Sequence, residues 1–379
     1  MVWNILRLLF TRWLSISRWN NFPRAVEINH LDNVWFVLHV ALFLAYLESK
    51  KSGQSIDQFY IMKKVIFGSF RDLVLSDINS WTKEYIKRIN ADIFSELHKK
   101  SFNFLLNFDW PDYLKQDIRT IVFDHSDRIE NSIIYAAKKY VWYTEAESNA
   151  AVFPFMYEVP LAELALEIKA HRTKLASLDE LMNNKQYQKY LSHINRLSFS
   201  MRWNHVHRTF PISVMSHQVI VAFISYIIGM VENENGASCD IEKMMIKAIY
   251  HDVPEVITWD IITPTKQAVD GFTLVLEEVE TQMLDDYLFS YIPIHYKNYI
   301  GEYMLQPFSD TLWKIVKYAD VISAMLEARL ESFHGNTDFN TISDNLLKKA
   351  YSFKNPGVDF LIQEILLGFN KEDNDISLR

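Results

Sequence analysis

Four side chains able to ligate a divalent metal occur in order along the C-terminal half of this sequence: His217, the adjacent His251 and Asp252, and Asp320. Each lies in a stretch of helical periodicity, at or beside a position that the pattern reserves for an apolar residue. His217 interrupts the stripe Val214, Val221, Ile224, Ile228. His251 ends the stripe Ile241, Met244, Ala248. Asp320 adjoins Ala319 and follows Val316 by one turn. A buried carboxylate is costly unless it is paired or bound to a metal. One histidine on an apolar face is ordinarily a satisfied core residue, and a lone His-Asp pair arises by chance. The argument rests on the four together, in this order and on these faces. Two imidazoles and two carboxylates make a mixed donor set suited to one divalent ion (Co, Mn, Fe, Zn or Mg).

The elements that must position these groups are helices. Nine glycines in 379 residues, few alternating apolar runs and repeated 3–4 spacing predict an all-α fold. The segment Asn233 to Gly236 separates the first two helices, and Pro254 bends or ends the second close to His251. The length predicts two domains, 1–185 and 186–379, divided in the polar, lysine-rich stretch near Leu178 to Lys189. A net charge of −8 argues against a nucleic-acid binder held by counterion release. It leaves room for a small anionic substrate, because a metal and one arginine reverse the field locally. The single cysteine, Cys239, excludes an internal disulfide. Arg7 and Arg12 break the apolar start of the chain, so no signal peptide is expected, and the apolar run Val34 to Leu47 is read as too short to span a bilayer. A cytoplasmic protein without a membrane partner is expected.

The set His217, His251-Asp252 and Asp320 resembles the H…HD…D signature of HD-superfamily phosphohydrolases. The run from Tyr250 to Lys266 is similar to the HDxxE…D…TPxK segment of the 5′-deoxynucleotidase branch. Arg202-Trp203 matches that branch's upstream pair, and Lys317 to Asp320 with Ala324 its KxADxxxA helix. The resemblance implies an HD-type helical bundle and hydrolysis of deoxynucleoside 5′-monophosphates by water activated at a metal. It implies that His217, His251, Asp252 and Asp320 hold that metal and that Arg202 grips the phosphate, with Glu255, one turn after His251, in proton transfer. Asp260 would accept from the sugar 3′-hydroxyl, and Trp203 would crowd a ribose 2′-hydroxyl. Two departures stand out. Ser216 and Gln218 flank the ligand histidine where the branch has Glu and Ser, and Trp259 replaces a glycine before Asp260. The alternatives are a deoxynucleoside triphosphohydrolase or phosphodiesterase on the same site, or a nucleotide-binding regulator.

The N-terminal half repeats the order with drift: Arg18-Trp19, Phe22-Pro23, His30, Arg71-Asp72, Asp77, and Ile121-Val122 followed by Asp127. A tandem HD-like duplication is expected, with His30, Asp72 and Asp127 as relics of the site. Arg71 stands where the ligand histidine belongs, and guanidinium cannot ligate a metal. This copy is therefore expected to be metal-free and structural, an internal pseudo-dimer partner of the active copy, with further homo-oligomerisation open.

Overall fold

The computed structural model describes residues 2–107, 110–259, 261, 265, 268–305 and 311–369. Among them all regular structure is helical, apart from two isolated antiparallel bridges, Ser17 with Asn29 and Met201 with Ser213. The chain is all-α, as its periodicity requires. It divides into two compact units that are not contiguous in sequence. One comprises Met1–Leu42, Ser55–Lys174 and Asp359–Arg379, the other Phe43–Gln54 and Leu175–Val358.

In the second unit the helix Val214–Glu234 packs against Ile241–Tyr250 and Thr311–Phe333. Its start is fixed by Ser213, whose Oγ accepts from the Ser216 amide at 3.0 Å. Residues from Val214 to Gly229 are all buried, because the apolar stripe is wide enough to face neighbours on several sides. At Gly229 a Cβ would lie 3.0 Å from Ile241 Cγ1 and 3.1 Å from Met244 Cε, so its lack of a side chain lets the two helices approach. Asp240 caps the next helix by accepting from the Lys243 amide. That helix stops at Tyr250 with His251 at its C-cap, and Pro254 then precedes the short helix Glu255–Thr258. The His-Asp pair is thus presented at a helix end.

In the first unit Gln58–Ser69 packs against Asp112–Val122 and Ile129–Ala150, and Ile129–Ala150 against Pro154–Arg172. The run Val34 to Leu47 belongs to a longer helix, His30–Ser52, that is long and apolar enough to cross a bilayer, contrary to the sequence expectation. The polar residues at its ends, not counted in the apolar run, extend the helix. Its apolar window, like that of Val214–Glu234, is 94% buried, as befits a core helix.

Candidate metal centre

His217 lies one turn into Val214–Glu234 with no exposed surface. Its Nε2 faces Asp320 Oδ1 at 3.2 Å and Asp252 Oδ2 at 3.8 Å. His251 Nε2 lies 3.2 Å from Asp252 Oδ2. The ligating atoms of His217, His251 and Asp252 all fall within 4.8 Å of one another. The fold therefore brings together all four residues singled out by their spacing. Both Nε2 atoms are buried yet complete no hydrogen bond among the described residues, so two lone pairs and two carboxylates converge on one point. Buried polar atoms are nearly always satisfied. Orphaned imidazole nitrogens opposite carboxylates fit a divalent cation, and the donor chemistry fits it too.

The rest of each imidazole is fixed from behind. His251 Nδ1 lies 2.8 Å from the Ala248 carbonyl, an acceptor, so Nδ1 carries the proton and Nε2 is left to the site. His217 Nδ1 lies 3.0 Å from Glu327 Oε1 and 3.2 Å from Ser323 Oγ. Glu327, 1% exposed, also accepts from the Trp203 indole N–H at 2.7 Å and lies 3.5 Å from both Arg202 Nε and Arg208 Nη1. It is the residue that sequence reasoning missed. Its position, seven residues beyond Asp320 on the same helix, puts it two turns on and on the same face. Glu327 thus supplies the contact behind His217.

Electrostatics keep the acids ionised. Burial pushes the Asp252 carboxyl up, but His251 and His217 more than offset this and hold it well below the carboxylate range. Lys317, 2.6 Å away, and His217 do the same for Asp320, against its own burial. Burial also opposes the Glu327 anion, and Arg202 and His217 outweigh it. Arg202 reaches the carboxylates of Asp252 at 3.7 Å and Asp320 at 4.0 Å, which places a guanidinium at the edge of the cluster. Trp203 adopts φ +58°, a left-handed conformation that costs a non-glycine residue about 1–2 kcal/mol. Its indole bond to Glu327 helps offset that. Trp259 also takes positive φ, +64°, where the branch's glycine would sit without strain, and the residue is 62% exposed. Glu255 opens the short helix directly after the His-Asp pair. Asp260 and Lys266, both singled out in the sequence, lie outside the described residues.

The first unit repeats this architecture and corrects its expected register. Arg18 donates its amide to the Ile28 carbonyl as Arg202 does to that of Ile212, and His30 donates to Ile16 as Val214 does to Ser200. His30 therefore corresponds to Val214. The position fifteen residues after the arginine, His217 in one copy, is Asn33 in the other. Trp19 shares the left-handed backbone, φ +55°, and its indole donates to Glu145 at 2.9 Å. Glu145, which Arg18 and Asn33 also reach at 3.3 and 2.6 Å, is the counterpart of Glu327. Asn149 Oδ1 caps the Ala25 amide four residues on, as Glu331 does that of Thr209. Seven residues before the glutamate, where the second unit has Asp320, the first has Lys138. Asp127, expected there, is exposed between helices, and Asp77 is exposed too. Phe22 donates its amide to Trp19 as Val206 does to Trp203, so it matches Val206 rather than Phe210. Arg71-Asp72 does occupy the His251-Asp252 position: Leu73 bonds to Phe70 as Val253 does to Tyr250, which leaves Leu75 in place of Glu255.

In the second unit two imidazoles and two carboxylates thus converge beside an arginine, and comparison with known proteins gives the family. The family model described as 5′-deoxynucleotidase YfbR-like matches residues 8–172 and, again, 189–369. The chain belongs to this YfbR-like 5′-deoxynucleotidase family, with its fold in tandem. It is similar to the 5′-deoxynucleotidase of Shewanella oneidensis, 25% identical over 188 residues that make up 49% of this chain and 96% of that one. A Klebsiella pneumoniae 5′-deoxynucleotidase is 26% identical over 193 residues, 50% of this chain and 95% of the relative. Among solved structures, an HD-domain phosphohydrolase from Listeria innocua aligns at 23% identity and a TM-score of 0.44, covering 49% of this chain and 90% of its own.

Proposed function

We propose that the second unit hydrolyses deoxynucleoside 5′-monophosphates to a nucleoside and orthophosphate. The observation that carries this reading is the convergence of the His217 and His251 Nε2 atoms with the Asp252 and Asp320 carboxylates, with Arg202 beside them. These four residues would hold a divalent ion, which supplies a Lewis acid that makes water nucleophilic near neutral pH. Arg202 binds the phosphate, its planar fork matching two oxygens. The water oxygen bonds to phosphorus as the bond to the 5′-oxygen breaks, and Glu255 relays the proton that the water gives up to that departing oxygen. Trp203, fixed by Glu327, walls the sugar on the side of C2′, and Asp260 accepts from its 3′-hydroxyl. The first unit, with Asn33, Arg71, Lys138 and Leu75 in place of His217, His251, Asp320 and Glu255, takes no part in the chemistry.

Assays of nucleoside mono-, di- and triphosphates with Co, Mn, Mg and Zn test the proposal. Deoxynucleoside monophosphates should be turned over in preference to ribonucleotides. Chelation and Asp252→Ala should each abolish phosphate release, and Asp252→Ala should also lose the metal by mass spectrometry. Full turnover in metal-free protein would refute the metal assignment, and triphosphate release with monophosphates untouched would refute the substrate.

A further inference from the structure

The first unit carries a partly open cavity of about 220 Å³ at the place corresponding to the candidate metal centre. Its lining includes Arg18, Asn33, Arg71, Asp72 and Lys138, the counterparts of Arg202 and the four candidate metal ligands. The substitutions run in one direction. Two neutral imidazoles and one carboxylate have given way to an amide, a guanidinium and an ammonium. The remaining carboxylate, Asp72, is already engaged by Lys83 at 2.8 Å and faces His30 at 3.6 Å. Glu145 is engaged by Arg18, Trp19 and Asn33. Lys138 forms no hydrogen bond or ion pair among the described residues, and Arg71 has only Asp72, at 3.9 Å. The lining also carries Lys83, Arg88 and Lys139 with Glu84, Glu163 and Glu167, of which Lys139 pairs with Glu167 and Arg88 lies 3.9 Å from Glu163, so the reversal from anionic to cationic is confined to the positions that correspond to the candidate ligands. The excess positive charge there sits partly out of water, where an unpartnered charge is expensive. Burial, with the Arg71 charge adding to it and Asp72 opposing it, lowers the Lys138 pKa to about 8. His30, 8% exposed, also lines the cavity, and its Nε2 completes no hydrogen bond among the described residues.

An ion able to satisfy these groups is a dianion with several acceptor oxygens. The other walls narrow its identity: Trp19, Trp81, Phe94 and Trp142 line the same cavity, and aromatic faces accept a flat base. We infer that the first unit is a metal-free binding site for a nucleoside 5′-monophosphate, its phosphate held by Arg18, Arg71 and Lys138 and its base among the tryptophans. With no ligand set, and with Leu75 where Glu255 stands in the other copy, the nucleotide is bound and not hydrolysed. The inference does not depend on turnover in the second unit, because binding is measured without metal.

Isothermal titration of the full chain, stripped of metal by chelation, distinguishes the outcomes. The titrants are deoxyadenosine 5′-monophosphate, inorganic phosphate and deoxyadenosine, and Arg202→Ala removes the phosphate contact of the second unit. Expected is nucleotide binding that survives Arg202→Ala, weakens about tenfold to a hundredfold in Arg202→Ala/Lys138→Gln, and returns in Arg202→Ala/Lys138→Arg. Phosphate should compete, and deoxyadenosine should bind far more weakly. The charge-preserving arginine variant separates loss of the contact from loss of the fold. Abolition of binding by Arg202→Ala alone, or indifference to Lys138→Gln, overturns the inference. Competition by phosphate with no gain from the nucleoside portion overturns the nucleotide assignment.

Discussion

Replacing Glu327 by glutamine changes one oxygen to an amide nitrogen at the point on which the site hangs. In the native protein the ionised carboxylate accepts from His217 Nδ1 at 3.0 Å and from the Trp203 indole at 2.7 Å, and it counters Arg202 and Arg208, each at 3.5 Å. An acceptor at Nδ1 keeps the proton there and leaves Nε2 with its lone pair toward Asp252 and Asp320. A glutamine can turn its oxygen to only one side. If it keeps the indole, its NH₂ faces Nδ1 and drives the proton to Nε2, which can then no longer ligate a cation. Contacts behind a ligand histidine are typically worth about 10–100-fold in metal affinity or activity, or about 1.4–2.8 kcal/mol. The lost counter-charge to two nearly buried arginines adds a separate stability cost. Breaking a buried pair typically costs about 3–5 kcal/mol, and a value below that is expected because the amide still hydrogen-bonds and Arg202 keeps 12% of its side chain in water. Competition with a chromogenic chelator gives the affinity for Mn or Co, and a thermal melt gives the stability. A Glu327→Gln protein that melts lower but binds metal with native affinity would refute the argument, since it would make the glutamate a strut and nothing more.

Two further outcomes concern stability. His30 and His39 are buried and held neutral chiefly by desolvation, with pKa values lowered to about 4 and about 3. Neither is protonated in either state above pH 6.5. Below it the unfolded chain takes up protons that the folded chain refuses, so stability falls by about 1.4 kcal/mol per pH unit for each histidine until the folded pKa is reached. Melting curves between pH 7 and 4 should show this slope, and His39→Phe should remove about one proton's worth of it; an unchanged slope would contradict the assignment. Gln218 is fully buried on Val214–Glu234, and both its amide atoms lack hydrogen-bond partners among the described residues. Burying an unsatisfied amide typically costs about 1–3 kcal/mol, so Gln218→Leu should raise the melting temperature, and a lowered one would show that the amide is satisfied.

The all-helical fold and the convergence of His217, His251, Asp252 and Asp320 were legible in the sequence because polar side chains interrupt apolar helix faces. Glu327 was not, although it lies on the face of Asp320: a glutamate in a helix is ordinarily a solvated charge, and nothing local distinguishes one that meets two arginines distant in sequence. The repeat was legible too, but its register was not. His30 and Asp127 drew the eye because they keep the lettering of a metal site, whereas the backbone assigns those roles to Asn33 and Lys138. Where a copy has changed its chemistry, the markers that survive are structural: the left-handed tryptophan, its buried glutamate and the capped amide beyond it.

The pairing of Asn33 with Glu145 also bears on how such a copy can change without collapsing. Asparagine offers the buried glutamate an N–H from Nδ2, as histidine does from Nδ1, and lacks only the second nitrogen that faces the cavity. One substitution can therefore discard the ligand while keeping the bond on which the arginine and tryptophan depend. The Glu–Trp–Arg framework acts as a chassis from which the contents of the pocket can be exchanged. Such a chassis lets the two units keep one framework while their pockets carry opposite charge at the same positions.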